Sequence, residues 1–398
     1  MAGPSMLGSG PGHPGEPPSD MDRLRRPLFS ESTGTCRLQD LGMITETSAG
    51  EFLRYNGSRL SSAAALGQIR GTVLASWSLW LHVVLYAAIA AAVCIAVSLC
   101  AGQPELIEIN HVSEAVAYFA SFVATALAIH MYIAVERWWQ LRSQMLGGLW
   151  CAINDLAMIL AAQFPARAHR RLRTLVIRYC LLSVEIMFMQ ARTGQVDFGE
   201  LSRRRLLRED EREKLETSAA KAQVVWVWVT GIFQRLAETE KLPPQLAVKL
   251  YDICETGRTS LEGFFVHLET QLPFSYTHLM AVLVHGNCLV VAGKCGLVAA
   301  MALGNLRGQN EQKPASGSEN LQVLLLQIFS AIAIPLFTLG MLEVGVLVGD
   351  PFGAQFQDFP VSAFHVWMRD ECEALQTAAE EVPSEIARVT NQDGGSAV

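Results

Sequence analysis

The sequence predicts an all-α membrane protein, with four transmembrane helices per subunit and a large helical extension, and three observations carry that prediction. Hydrophobic residues fill 51% of the 398 positions and charged residues only 17%, with a mean hydropathy of +0.25, too apolar for a soluble domain of this length. The apolar residues concentrate in four stretches nearly free of charge, each able to supply the roughly 20 residues needed to cross about 30 Å of hydrocarbon. Between them the apolar periodicity is helical, and little convincing strand pattern appears.

Taken in order, residues 1–50 are expected to form a disordered tail, since the first thirty are rich in Gly, Pro and Ser and hold no apolar run of the kind a secretory signal needs. The spans fall at about 72–101, 115–135, 273–303 and 320–342. The first is longer than one crossing requires, so it tilts or emerges as helix. Lys294 and Pro335 interrupt the third and fourth, as neighbouring helices or water allow.

Loop charge orients the spans. The connection "GQPELIEINHVSE" has no Lys or Arg, whereas Arg137, Arg142, Arg167, Arg170, Arg171 and Arg173 follow span two. Basic residues accumulate on the cytoplasmic side, which places the N-terminus, the C-terminus and the region of about 137–272 there. Within that region "LSRRRLLREDEREKLETSAAKA" reads as a charged helix or linker, and Pro243 or Pro244 suits a helix start. Residues 379–398 are expected to be a second disordered tail.

Several function classes drop out. A net charge of -7 without a basic block interleaved with aromatics argues against nucleic acid as a partner. The nine cysteines form no CxxC pair and read as small hydrophobes. No HExxH, GxSxG, P-loop, strand-associated GxGxxG or EF-hand loop is found, so no enzyme is expected and no cofactor is required. His130 on span two and His278 and His285 on span three are expected to be packing imidazoles rather than metal ligands. The "NGS" at Asn56 matches a glycosylation acceptor on the wrong side of the membrane.

Two features of span two stand out. It ends in "ERWWQLR", where Arg137, Trp138 and Trp139 suit a membrane boundary, the arginine as an anchor and the indoles as an interfacial belt. Ser121, Thr125 and Ile129 recur every four residues and share one helix face beside Ala120, Ala124 and Ala128. Such a face is ordinarily a helix-packing surface. Around the axis of an oligomer it would line a pore.

"RYNGSRL", "ERWWQLRSQMLGG", "VVWVWV" followed by "LPPQL", "QLPFSYTHLM" and "DPFG" stand in the order and spacing found in the bestrophins and their bacterial and plant relatives, which this chain resembles from about Glu51 to Arg369. The resemblance implies a channel domain over about 51–378 and a homopentamer. It further implies a passive anion channel in the lipid bilayer, for chloride and in addition bicarbonate or nitrate, with a central pore formed by the second membrane helices. A second reading is a non-conducting scaffold or assembly subunit of the same fold. Plasma membrane and organellar membrane, thylakoid included, both stay open.

The family's neck ends eight residues before the Arg of RWW, which here gives Ile129, Thr125 and Ser121. Animal members carry bulky apolar groups where this chain has Thr and Ser. A three-residue shift that aligns the "SFV" segments would bring Phe122 into the stripe instead. The family's second constriction follows a proline 29 residues before the one opening P-x-x-Y-T, here Pro273, and the corresponding residue is Gln245 after Pro244. The loop "VGDPFGAQFQDFP" matches the family's calcium loop. Its side-chain positions are Gln355 and Asp358, and its carbonyls belong to about Leu347 and Asp350. A neutral Gln among the ligands leaves weak calcium binding or none. The loop is expected to persist as a brace, through the Pro351 turn and burial of Phe352 and Phe359.

Overall fold

The computed structural model describes residues 42–47, 50–55, 69, 71–100, 109–165, 167–239, 241–306, 317–352 and 358–381. It is helical apart from one hairpin, in which β1 (Gly42–Thr47) pairs antiparallel with β2 (Gly50–Tyr55), Gly42 opposite Tyr55 and Thr47 opposite Gly50. Ile44, Thr45, Phe52 and Tyr55 are strand-favouring residues, but two six-residue runs are too short for periodicity to flag. The hairpin adds a strand pair to the helical reading and begins within the stretch assigned to the N-terminal tail.

Four helices are long and apolar enough to cross a membrane. These are α1 (Trp77–Cys100), the apolar part of α2 (Ile109–Gln140), and, later in the chain, two helices of 33 residues each, Phe274–Leu306 and Gly317–Gly349. The first begins after a 3-10 turn at Val73–Ala75, clamped by Trp80 Nε1 donating to the Leu74 carbonyl at 2.8 Å. Helix α2 does not stop at the end of its span. It passes through a π-helical segment, Leu141–Leu146, and continues as α3 (Gly147–Gln163).

The rest of the chain builds a second, more highly charged body: α4 (Arg170–Thr193), α5 (Phe198–Arg203), α6 (Glu209–Glu216), α7 (Lys221–Glu238), α8 (Pro244–Glu269) and, after the membrane helices α9 (Phe274–Leu306) and α10 (Gly317–Gly349), α11 (Val361–Glu380). The run read as one charged helix or a linker is two short helices, α5 and α6, with Arg205 between them at φ 59°. Pro243 caps α8 and Pro244 is its first residue, where a missing N–H leaves no hydrogen bond unmade.

Two cores result. In the membrane bundle, Leu79, Val83, Tyr86 and Ala90 of α1 pack with Val123 and Leu127 of α2, Val284, Cys288 and Ala292 of α9 and Leu339 of α10. Helices α1 and α9 approach so closely that a Cβ at Gly296 would collide with the Ala90 carbonyl oxygen. In the charged body α4 runs through the centre, and every residue from Cys180 to Phe188 is buried.

Its charges are matched one by one. Arg178 forks onto Glu211 at 2.6 and 2.8 Å and donates to the Leu206 carbonyl, while Tyr179 donates to the same carboxylate at 2.8 Å. Burial works to raise the Glu211 carboxyl, but the Arg178 guanidinium outweighs it and holds it below the usual carboxylate range. Glu185 lies between Arg204, 2.9 Å from one oxygen, and His365, 2.6 Å from the other though not aligned for a hydrogen bond. Burial again pushes its carboxyl up, and His365 and Arg204 bring it below the ordinary value. Arg173 pairs with Glu380, and Glu371 accepts from Trp150 and Asn154, so α11 is fastened at its middle and at its C-terminal end.

Candidate functional site

Helix α2 presents opposite faces to different surroundings. Val116, Val123, Leu127, His130 and Ala134 are buried. Ser121, Thr125 and Ile129 are exposed on the other side, since residues two apart on a helix point about 200° apart. Thr125 Oγ1 donates to the Ser121 carbonyl at 3.0 Å, so its hydroxyl is satisfied within the helix. Tyr118, Phe122 and Tyr132 are exposed nearby, and Ile129 is 55% exposed. One chain therefore leaves this face without an intrachain neighbour.

The boundary motif divides its work among three consecutive side chains. Arg137 Nη2 donates to the His267 carbonyl at 3.1 Å and to the Thr270 carbonyl, occupying acceptors that the C-terminus of α8 leaves open. His267 is held in turn by Gln140, 3.2 Å from its Nε2. Trp138 packs at 5.2 Å on Phe359, whereas Trp139 is 59% exposed, so only the second indole is placed as a belt residue would be. Helix α8 lies tightly on the π-segment: a Cβ at Gly263 would collide with Met145 Sδ. Gln245 is exposed in the first turn of α8, about 35 Å of helix away from the carbonyls that Arg137 holds. The two expected constrictions are thus not brought together; α8 is the element that relates them.

The loop after α10 is tied at its ends. Phe359 N–H donates to the Pro351 carbonyl at 2.8 Å, closing the turn. Phe352 and Phe359 are buried, with ring centroids 5.3 Å apart, and Phe352 stands against Phe264 at 5.2 Å. Arg142 lies over Phe364 at 4.4 Å, which joins the cluster to the extension of α2 a second time. Sequence reasoning found the two loop phenylalanines but not this wider cluster, because Phe188, Phe264 and Phe364 come from separate helices and none is unusual in its own run.

The described residues place three of the four expected calcium-loop positions. Leu347 is half-buried in the last turns of α10, Asp350 is exposed and its Oδ1 lies 3.5 Å from Phe352 N, and Asp358 is half-buried. Gln355 lies outside the described residues. Calcium takes about six to eight oxygens and gains affinity from carboxylates. Among the described residues of the loop the acidic side chains are these two aspartates, one of them placed to cap a backbone N–H.

A family model described as "Bestrophin, RFP-TM, chloride channel" matches residues 58–365. Among solved structures, two point variants of a bacterial bestrophin homologue from Klebsiella pneumoniae align with TM-scores of 0.60 and 0.59 at 17% and 18% identity, covering 74% of this chain and 99% and 98% of theirs. A structure described as a membrane protein variant aligns at 0.60 and 18% identity, covering 76% and 99%. At that identity these structures speak for the fold alone. No curated protein matches the chain.

Proposed function

The chain belongs to the bestrophin family, and we propose from that premise that it assembles as a homopentamer whose five α2 helices surround one anion pore. The observation that carries this reading is the exposed α2 face of Ser121, Thr125 and Ile129 on a helix whose opposite face and lower end are both fixed. A helix so held can present a free face to an axis without needing its neighbours for its own position.

Conduction would be passive. Anions shed part of their hydration in the neck, where the Ile129 side chain offers nothing and the Thr125 and Ser121 side chains offer short dipoles. Chloride is the first permeant ion on the family's description, with bicarbonate and nitrate as finer candidates. Gln245 sits at the exit, and a polar side chain there discriminates less by dehydration than an apolar one. The loop 350–360 acts as a brace under the pore, binding calcium weakly or not at all, with Asp350 and Asp358 as its remaining acidic side chains.

Orientation follows the charge asymmetry, with both termini and the charged body on the cytoplasmic side. Labelling that reached 307–320 from the same side as the C-terminus would contradict it. Reconstitution in planar bilayers tests the function: unitary anion current is expected, and its absence in a correctly assembled pentamer would favour the scaffold reading.

A further inference from the structure

The sequence treats His285 as a lone packing imidazole, yet the fold gives it a partner. His82 of α1 and His285 of α9 face each other in the apolar bundle, with ring centroids 5.5 Å apart and planes tilted by 50°. Each already has one ring nitrogen engaged. His82 Nδ1 is 2.8 Å from the Ser78 carbonyl oxygen, and His285 Nδ1 is 2.9 Å from the Tyr86 hydroxyl. A carbonyl only accepts, so His82 carries its proton on Nδ1 and keeps a lone pair on Nε2. His285 reaches the same state when its Nδ1–H donates to Tyr86 Oη.

This is how ligating histidines are prepared: one nitrogen oriented by a backbone carbonyl or a second-layer side chain, the other left for a metal. Neither Nε2 has a hydrogen-bond partner among the described residues. Imidazoles placed in hydrocarbon with acceptor capacity unused are costly, which makes a plain packing role a poor account of the pair. Distance agrees. Two imidazoles sharing one tetrahedral ion hold their ring centres about 5 Å apart, given metal–nitrogen bonds of about 2.0 Å.

We propose that His82 and His285 form an interhelical site for a borderline divalent transition metal, zinc foremost, with water in the remaining positions. No group of three or more metal-ligating side chains occurs among the described residues, so this is a two-imidazole site, exchangeable rather than structural. Both ligands bind as neutral imidazoles, and coordination displaces only water from the ion. Its effect is mechanical, because the ion fastens α1 to α9 partway along their contact. Magnesium, which prefers oxygen, would not replace it.

The test uses the full-length protein in detergent, so it does not depend on conduction. Zinc chloride is titrated and the thermal unfolding midpoint is read. The expected result is a rise at micromolar zinc, reversed by EDTA and not reproduced by magnesium. It should be lost in His82→Gln and in His285→Gln, and should need about tenfold more zinc in Tyr86→Phe. No response in the wild type, or a wild-type response retained in either histidine variant, overturns the site. Should a Gln variant fold poorly, the double variant His82→Cys, His285→Cys decides: cadmium must raise its midpoint, and failure to do so overturns the proposed proximity.

Discussion

In the membrane bundle, α9 touches α1 backbone to backbone at Gly296 and Ala90, and the outer face of α2 is left bare. In the charged body, α4 sinks Arg173, Arg178 and Glu185 into the centre and meets each with a partner from another element. The first region economises on polar groups and exposes apolar surface; the second is closed around its charges. Surroundings account for the contrast. Hydrocarbon supplies no force to bury one apolar side chain against another, so packing there depends on small residues. In water the apolar faces collapse, and any charge caught inside must find its counterpart or cost several kcal/mol. One half of the molecule is therefore closed within a single chain, and the other leaves apolar surface uncovered.

The sharpest way to break this comparison is to unpair a charge in the closed half. Arg178→Ala leaves Glu211 buried without its fork and should cost about 3–5 kcal/mol, read in thermal or chemical unfolding. A loss under about 1 kcal/mol would show that the pair is more open to water than its burial implies.

Acid is the next lever. Glu185 and Glu211 have carboxyl values lowered in the folded state. The stability they add is present above the ordinary carboxylate value of about 4.3 and is lost as pH falls through the lower folded values. Unfolding midpoints should hold from neutrality to about pH 5 and then drop. Glu211→Gln should start lower and fall less steeply; an identical acid profile would remove Glu211 from the explanation.

In the open half a substitution should change function and spare stability. Thr125→Trp adds bulk where one chain has no neighbour, so the unassembled subunit should shift by less than about 0.5 kcal/mol. Conductance should fall in the pentamer. Unchanged current and permeability ratios would take Thr125 off the pore, whereas lost assembly would mark the stripe as a packing surface between subunits.

The smallest expected effect belongs to the loop where the halves meet. Wild-type current should not depend on submicromolar calcium, and Gln355→Asp should introduce a modest dependence by adding a carboxylate. Steep activation of the wild type, removed by Asp358→Ala, would reverse the assignment of a weakened site.

Much of the membrane half was legible because its rule is one-dimensional: about 20 apolar residues in a row can be counted. The stripe of Ser121, Thr125 and Ile129 was legible for a similar reason, since helical spacing fixes which residues share a face. The sequence marks Arg137 as an expected boundary residue but does not show its grip on the His267 and Thr270 carbonyls, because that bond joins positions with no local relation. The pairing of His82 with His285, and of Arg178 with Glu211, was hidden likewise: each sits in an ordinary run of its own helix. The hairpin escaped for want of length.

The π-segment at Leu141–Leu146 has a consequence for how the two halves are timed against each other. Along α2 the inward face passes through Leu127, Ala134 and Leu141; in a regular helix its next member would be Met145, but Leu146 is the residue fully buried, followed by Leu149 and Ile153. The segment thus works as a gear tooth. It takes up one extra residue, which in a regular helix would add about 100° of rotation, between a shaft that meshes with the apolar helices and one that meshes with the charged body. Deleting one residue there would restore a regular α-helix and leave every apolar position of α3 in its seat, whereas deleting one from the regular helix on either side would turn all of them away at once.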